Sequence, residues 1–184
     1  MAARLAFALL PLVAACGAKL GSPPFHQDVA DAALDTPVAV DAAIDARPCI
    51  GGDATAMAGA SCLVLVKTPA HHEDAVASCT AMNAHLVKIE DATSNAIVAA
   101  LAQGADTFIG ATDVVTEGTF VWDDSTPVVY NNFRTGEPSN GGGTYQEDCL
   151  VIEGSKTPDD TWDDRPCDPV PNVGGGNYPF ICQY

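Results

Sequence analysis

Acidic and amide side chains concentrate in three short stretches of this chain: Gly136, Glu137, Pro138, Ser139, Asn140; then Gln146, Glu147, Asp148, Cys149; then Thr161, Trp162, Asp163, Asp164, Arg165, Pro166, Cys167. Oxygen-bearing side chains aimed at one point repel one another unless a hard cation lies between them. Ca²⁺ suits such a set, because it accepts roughly six to eight oxygens at about 2.3–2.6 Å in flexible geometry. A solvated acidic loop is the other reading of the same residues.

Other chemistries are less well framed. His71, His72 and Glu73 stand together, but adjacent residues point about 100° apart around a helix, and no second ligand cluster lies at a recognised metal spacing. A solvated first helical turn is the expectation there. No nucleophile-elbow motif frames a serine. Paired carboxylates can hydrolyse glycosides, yet a calcium cage would engage both as ligands. Enzymatic activity is not expected.

Composition narrows the partners. The 184 residues carry a formal net charge of −16 with only eight lysines and arginines, which argues against a nucleic-acid partner and for cations. Seven cysteines are present, and all but Cys16 fall between residues 49 and 182, as expected of a disulfide-stapled domain in an oxidising compartment. Arg4 and the apolar run Leu5 to Leu12 are too short for a permanent membrane span and read as an export signal. Val13, Ala14, Ala15, Cys16, Gly17 resemble a bacterial lipobox, in which the cysteine is lipidated and becomes the mature N-terminus. Cleavage near Ala18 is the alternative. Residues 1–16 are thus assigned as a signal peptide with lipobox, and the product is expected to be lipid-anchored at the outer membrane or cell surface, or otherwise secreted. Residues 17–47, rich in Ala, Asp and Pro, bury little and repel themselves, so a disordered tether is expected; short Ala-rich helices would be broken by Pro23, Pro24, Pro37 and Pro48.

Residues 48–184 must then position the acids. Leu63 to Val66 reads as a buried strand. Thr68 and Pro69 read as an N-cap and first helical position, opening a helix to about Asn83 that buries Val76, Cys79 and Met82. Leu86 to Ile89 is strand-like. Asp91 can cap a second helix with Ile97, Ala100 and Leu101 on its apolar face, stopped by Gly104. Thr107 to Ala111 and Phe120 to Trp122 are short strands. From Asp123 to Thr144 the chain is mostly loop, a length that is uncommon unless functional. Cys149 to Ile152, the Trp162 region and Tyr178 to Cys182 close the domain as strands. Helices first and strands afterwards indicate an α+β domain.

In this order the landmarks resemble a C-type lectin domain over residues 49–184. Phe108, Ile109, Gly110, Ala111 are similar to the family's Trp-Ile-Gly-Leu strand; Glu137, Pro138, Ser139 to its Glu-Pro-Asn loop; Glu147, Asp148, Cys149 to its Glu-Asp/Asn-Cys step; and Trp162, Asp163, Asp164 to its Trp-Asn-Asp strand. The resemblance implies the long form of the C-type lectin-like fold: two helices, small antiparallel sheets, a long calcium-binding loop region and three disulfides. Among the many pairings open to six cysteines, it selects Cys49–Cys62, Cys79–Cys182 and Cys149–Cys167.

It also implies a site. The principal Ca²⁺ would take Glu137, Ser139, Glu147, Asp163 and Asp164 with the Asp164 carbonyl, and Pro138 would be a cis proline aiming Glu137 and Ser139 at one ion. Thr112 to Gly118 resembles the segment that supplies an auxiliary calcium site, implying Asp113, Glu117, Asn140 and Asp148 there, beside Glu147. Sugar hydroxyls would meet Glu137, Ser139, Glu147 and Asp163. Ser139 and Asp163 depart from the family's two asparagines, however. An ionised Asp has no donor and serine keeps one, so the usual pairing of donors and acceptors around a vicinal diol is broken while the negative charge on the ion increases. Glu-Pro rather than Gln-Pro implies a mannose-type preference. The expected function is a membrane-tethered, calcium-dependent carbohydrate-binding module. The alternative is a protein-interaction module on the same fold, with calcium ordering the loop. Trp122 and Trp162 are expected in the core, and Tyr145 and Phe133 in loop packing.

Overall fold

A computed structural model describes residues 49–155 and 160–184. The signal, lipobox and tether expected over residues 1–47, Cys16 included, lie outside the described residues.

Alternating and continuous apolar runs build the sheet. β1 (Ala54–Ala58) and β2 (Ser61–Ala70) form a hairpin whose apolar stretch Leu63 to Leu65 is buried. After α1 (His72–Ala81), β3 (His85–Leu86) and α2 (Ala92–Ala102) come β4 (Thr107–Thr112), β5 (Val121–Trp122), β6 (Cys149–Ile152), β7 (Trp162–Arg165) and β8 (Tyr178–Gln183). These strands join into one network, ordered β1-β2-β8-β4-β6-β7, with β3 on β8 and β5 on β4. Every pairing is antiparallel except β4 with β8, where Phe108 faces Phe180 in parallel. The sheets are therefore linked rather than separate. Neither described helix is long and apolar enough to cross a membrane.

Two apolar clusters hold the layers together. One packs α2 against Leu63, Leu65, Ile109, Leu150, Ile152, Trp162 and Ile181; the other sets α1 through Ala75 and Cys79 against Phe108, Val151 and Phe180. Gly110 sits in β4 because a Cβ there would meet the Leu86 carbonyl oxygen at 2.8 Å. The three disulfides are Cys49–Cys62, Cys79–Cys182 and Cys149–Cys167, the pairing implied by the resemblance.

Several local expectations are corrected. Thr68 and Pro69 do not open a helix: β2 runs on to Ala70, and α1 begins at His72 after His71 in extended conformation. The β2–β8 register shifts between Val66 and Ala70, an irregularity that accommodates a residue without an N–H, while Thr68 is held extended by the proline that follows it. The α1 end also falls earlier than Asn83, at Ala81. His72 is not solvated. It is 9% exposed and packs edge-on against Phe108 at 5.3 Å, and burial lowers its pKa to about 4.

Of Leu86 to Ile89, only Leu86 lies in a strand, but Val87 and Ile89 are buried and the Val87 N–H donates to the Ile181 carbonyl. Asp91 does cap α2, in a reciprocal capping box with Ser94. The buried face of that helix is Asn95, Val98, Leu101 and Ala102, leaving Ala100 exposed. Asn95 turns inward because its amide is satisfied there. Its Nδ2 donates to the Asp160 carbonyl at 2.9 Å and its Oδ1 accepts from Trp162 Nε1 at 2.7 Å.

Candidate functional site

The long loop is anchored by aromatic residues and by a short backbone pairing. Trp162 lies at 5.7–6.0 Å from the rings of Trp122, Tyr130 and Phe133, and Phe133 also meets Phe120. The Trp162 N–H donates to the Asn132 carbonyl and the Arg134 N–H to the Trp162 carbonyl, both at 2.9 Å. Residues 132–134 therefore run beside β7, and the chain then turns so that the Glu137 N–H donates to the Arg134 carbonyl. The Glu137–Pro138 bond is cis, as the resemblance implies.

These constraints gather acids at one place. Glu137, Asp163 and Asp164 each offer a carboxylate oxygen within 4.8 Å of the others, the tight set of potential metal ligands among the described residues. Asp163 and Asp164 are fully buried on β7. Asp164 organises the loop directly, its two oxygens accepting the N–H groups of Ser139 at 2.9 Å and Asn140 at 2.6 Å. Burial pushes the Glu137 carboxyl upward with help from neighbouring Asp163 and Asp164, opposed by Ser139 and the Arg134 guanidinium. Two atoms test whether a cation fits. Glu137 Oε2 and Asp163 Oδ1 are buried and lack a hydrogen-bond partner, a costly state that a bound cation would relieve.

Glu147 stands beside this set rather than in the tight group. Its Oε2 accepts the Gly141 N–H at 2.5 Å and its own N–H donates to Asn140 Oδ1 at 2.8 Å; burial raises its pKa. The expected auxiliary residues are neighbours too. Asn140 Nδ2 donates to Glu117 Oε2 at 2.6 Å, the Asp113 N–H donates to the Asp148 carbonyl at 3.1 Å, and Asp113 Oδ2 accepts from the Gly118 N–H at 2.7 Å. Burial, aided by Glu117 and Asp148, raises the Asp113 carboxyl to about 6, and its Oδ1 is another buried oxygen without a partner. Asp113, Glu117 and Asp148 do not form a group as tight as the principal one among the described residues.

Three charged residues were not anticipated. Arg134 Nη2 donates to Glu137 Oε1 at 3.1 Å and to Asp163 Oδ2 at 2.9 Å, while its Nε donates to Glu153 Oε2 at 2.6 Å. Arg165 bonds Asp163 Oδ2 through Nη1, reaches Glu153 Oε1 at 3.3 Å through Nη2, and also donates from Nη1 to the Asp164 carbonyl at 3.1 Å. Glu153 is completely buried between the two guanidinium groups. Asp163, which replaces a neutral amide in the family pattern, is thus neutralised by arginines. The signal was available: in a chain with eight lysines and arginines, two beside the acidic stretches are conspicuous. Of the expected aromatic residues, Trp122, Trp162 and Phe133 pack in or against the core, and Tyr145 is half-buried against Gly141.

Two helices, the linked sheet, three bridges and a cis proline beside clustered acids define a C-type lectin-like domain. The Lectin C-type domain matches residues 68–184, and the chain belongs to that family. The mouse low affinity immunoglobulin epsilon Fc receptor is 36% identical over 90 residues, 49% of this chain and 25% of the receptor, so the chain spans about a quarter of that relative. Among solved structures, the mouse scavenger receptor C-type lectin carbohydrate-recognition domain is similar at a TM-score of 0.60 and 26% identity, covering 71% of this chain and 92% of the other. A calcium-independent type II antifreeze protein has the same fold at a TM-score of 0.59 and 21% identity, covering 73% and 94%.

Proposed function

We propose that this domain is a calcium-dependent carbohydrate-binding module. The observation that carries the reading is the convergence of Glu137, Asp163 and Asp164 with two buried, unpartnered carboxylate oxygens, in a family that includes the carbohydrate-recognition domain named above. Glu137, Glu147, Asp163 and Asp164 would hold the ion, with Ser139 beside them. The bound ion would supply direct coordination of two vicinal sugar hydroxyls. Glu137 and Glu147 accept hydrogen bonds from those hydroxyls, and Ser139 Oγ can donate one. Asp164, by fixing the Ser139 and Asn140 N–H groups, sets the loop to which the ligand docks. A mannose-type diol is the preferred ligand by the Glu137–Pro138 step, and Asp113, Glu117, Asn140 and Asp148 would serve an auxiliary ion. We further propose that export and lipidation at Cys16 tether the module to a membrane surface; mass spectrometry of the mature N-terminus tests this by the presence or absence of a diacylglyceryl cysteine.

One observation favours the second reading, a protein-interaction module. Asp163 offers no donor to a sugar, and its Oδ2 is already taken by Arg134 and Arg165. A glycan array probed with Ca²⁺ and again with chelator separates the two. Chelator-sensitive glycan signal is the expected result; a silent array together with calcium-induced thermal stabilisation would select the interaction module.

A further inference from the structure

We propose that Arg134 is a built-in counter-cation of the principal site, holding the loop in its binding arrangement without metal and setting calcium affinity by competing for the same carboxylates. The inference rests on the calcium reading of that site and concerns a residue to which that reading gives no role.

The geometry is specific. A single nitrogen, Arg134 Nη2, bridges Glu137 Oε1 and Asp163 Oδ2 at 3.1 and 2.9 Å. It therefore sits between two members of the tight carboxylate set and satisfies one oxygen of each. Their other oxygens, Glu137 Oε2 and Asp163 Oδ1, stay buried and unpartnered, so a coordination demand remains that the two arginines do not meet. A divalent ion taking those oxygens would meet the guanidinium charge across the same carboxylates, and like charges at that range repel. Loading is thus opposed by Nη2, which bridges two members of the set, and eased by its withdrawal, whereas Arg165 touches only the Asp163 carboxylate among them.

A route for withdrawal is present. The Arg134 side chain is 34% exposed, whereas Glu153 and Asp163 are fully buried. Its Nε is held separately, at 2.6 Å, by Glu153, so the side chain keeps an anchor while Nη2 turns to solvent. Arg165 stays on Asp163 and Glu153 and on the Asp164 carbonyl, limiting the charge left uncompensated. Two cationic states of one site follow, arginine-bridged and calcium-loaded. In the first, the Asp164 bonds to Ser139 and Asn140 remain intact, so metal removal empties the site without unravelling the loop.

Calorimetric Ca²⁺ titration of the full chain and of R134M, with melting curves in chelator, tests this. The expected result is calcium affinity at least about tenfold tighter in R134M, a lower melting temperature in chelator, and a larger calcium-induced rise than in the natural protein. R134K, which keeps the charge, should bind calcium about as the natural protein does. Should R134M not fold, R134Q carries the same expectation, since its amide retains a donor without the charge. Unchanged or weaker affinity in a folded neutral variant, with the natural protein still binding calcium, overturns the role of Arg134 and leaves the calcium reading standing. Calcium binding by neither protein overturns both.

Discussion

Glu153→Gln isolates the buried charge network beneath the site. Glu153 is completely buried and accepts from Arg134 Nε at 2.6 Å, from Arg165 Nη2 at 3.3 Å and from Thr161 Oγ1 at 3.3 Å. Removing one partner of a buried ion pair costs about 3–5 kcal/mol, mainly because the remaining charge is left without compensation. Here both arginines keep Asp163, and their side chains are 34% and 20% exposed, so water and a second carboxylate recover part of the loss. The lower end of the range, about 3 kcal/mol, is therefore expected, equivalent to a fall of roughly 10 °C in melting temperature for a domain of this size. Urea denaturation in chelator reads it as a shift in midpoint at unchanged slope. A Glu153→Gln/Arg165→Met double variant should lose less than the two single losses added together, since the residues share one network. A single-variant loss below about 1 kcal/mol, or simple additivity, would refute the argument that Glu153 is held by both guanidinium groups.

Other consequences are equally open to measurement. His72 has its pKa lowered to about 4 by burial, from an ordinary 6.5, so the unfolded chain takes up a proton between those values that the folded chain refuses; this contribution is complete above pH 6.5 and falls by up to about 3 kcal/mol as the pH drops toward 4. His72→Leu should flatten the dependence of melting temperature on pH in that window, and an unchanged slope would contradict it. Cys79→Ser/Cys182→Ser opens a bridge spanning 103 residues, for which the chain-entropy relation gives a loss of about 4–5 kcal/mol, larger than that for Cys149→Ser/Cys167→Ser across 18 residues; chemical denaturation gives the order. Asp164→Ala removes the acceptor for two loop N–H groups, so a loss of about 3 kcal/mol in chelator is expected, together with loss of any calcium-induced stabilisation.

Much of the fold is legible because its cues are local or because they recur as a pattern. Asp91 announces the start of α2, the apolar runs mark β2, β4, β6 and β8, and the spaced landmarks around Gly110, Glu137 and Cys149 imply both the disulfide pairing and the acids that meet. Misread elements are those decided by tertiary context. Thr68 and Pro69 look like a helix start, but pairing with β8 draws them into β2. The face of α2 turns toward Asn95 because Trp162 Nε1 and the Asp160 carbonyl, distant in sequence, satisfy its amide. His72 is buried because Phe108 packs against it.

At the site, a search for ligand oxygens finds Glu137, Asp163 and Asp164 but passes over the cations that balance them. Arg134 and Arg165 are not among the residues that carry the resemblance, and Glu153 follows the apolar strand β6. Their joint role follows only from the burial of Asp163, a charge that must be paired once it leaves water.

The most direct test is a crystal structure of the protein grown with Ca²⁺ and a mannoside. The account predicts an ion held by Glu137, Glu147, Asp163 and Asp164, two vicinal sugar hydroxyls on that ion, and Arg134 Nη2 turned away from Glu137 and Asp163. A bound sugar remote from these residues, or an ion-free site with Arg134 still bridging Glu137 and Asp163 at saturating calcium, would contradict it.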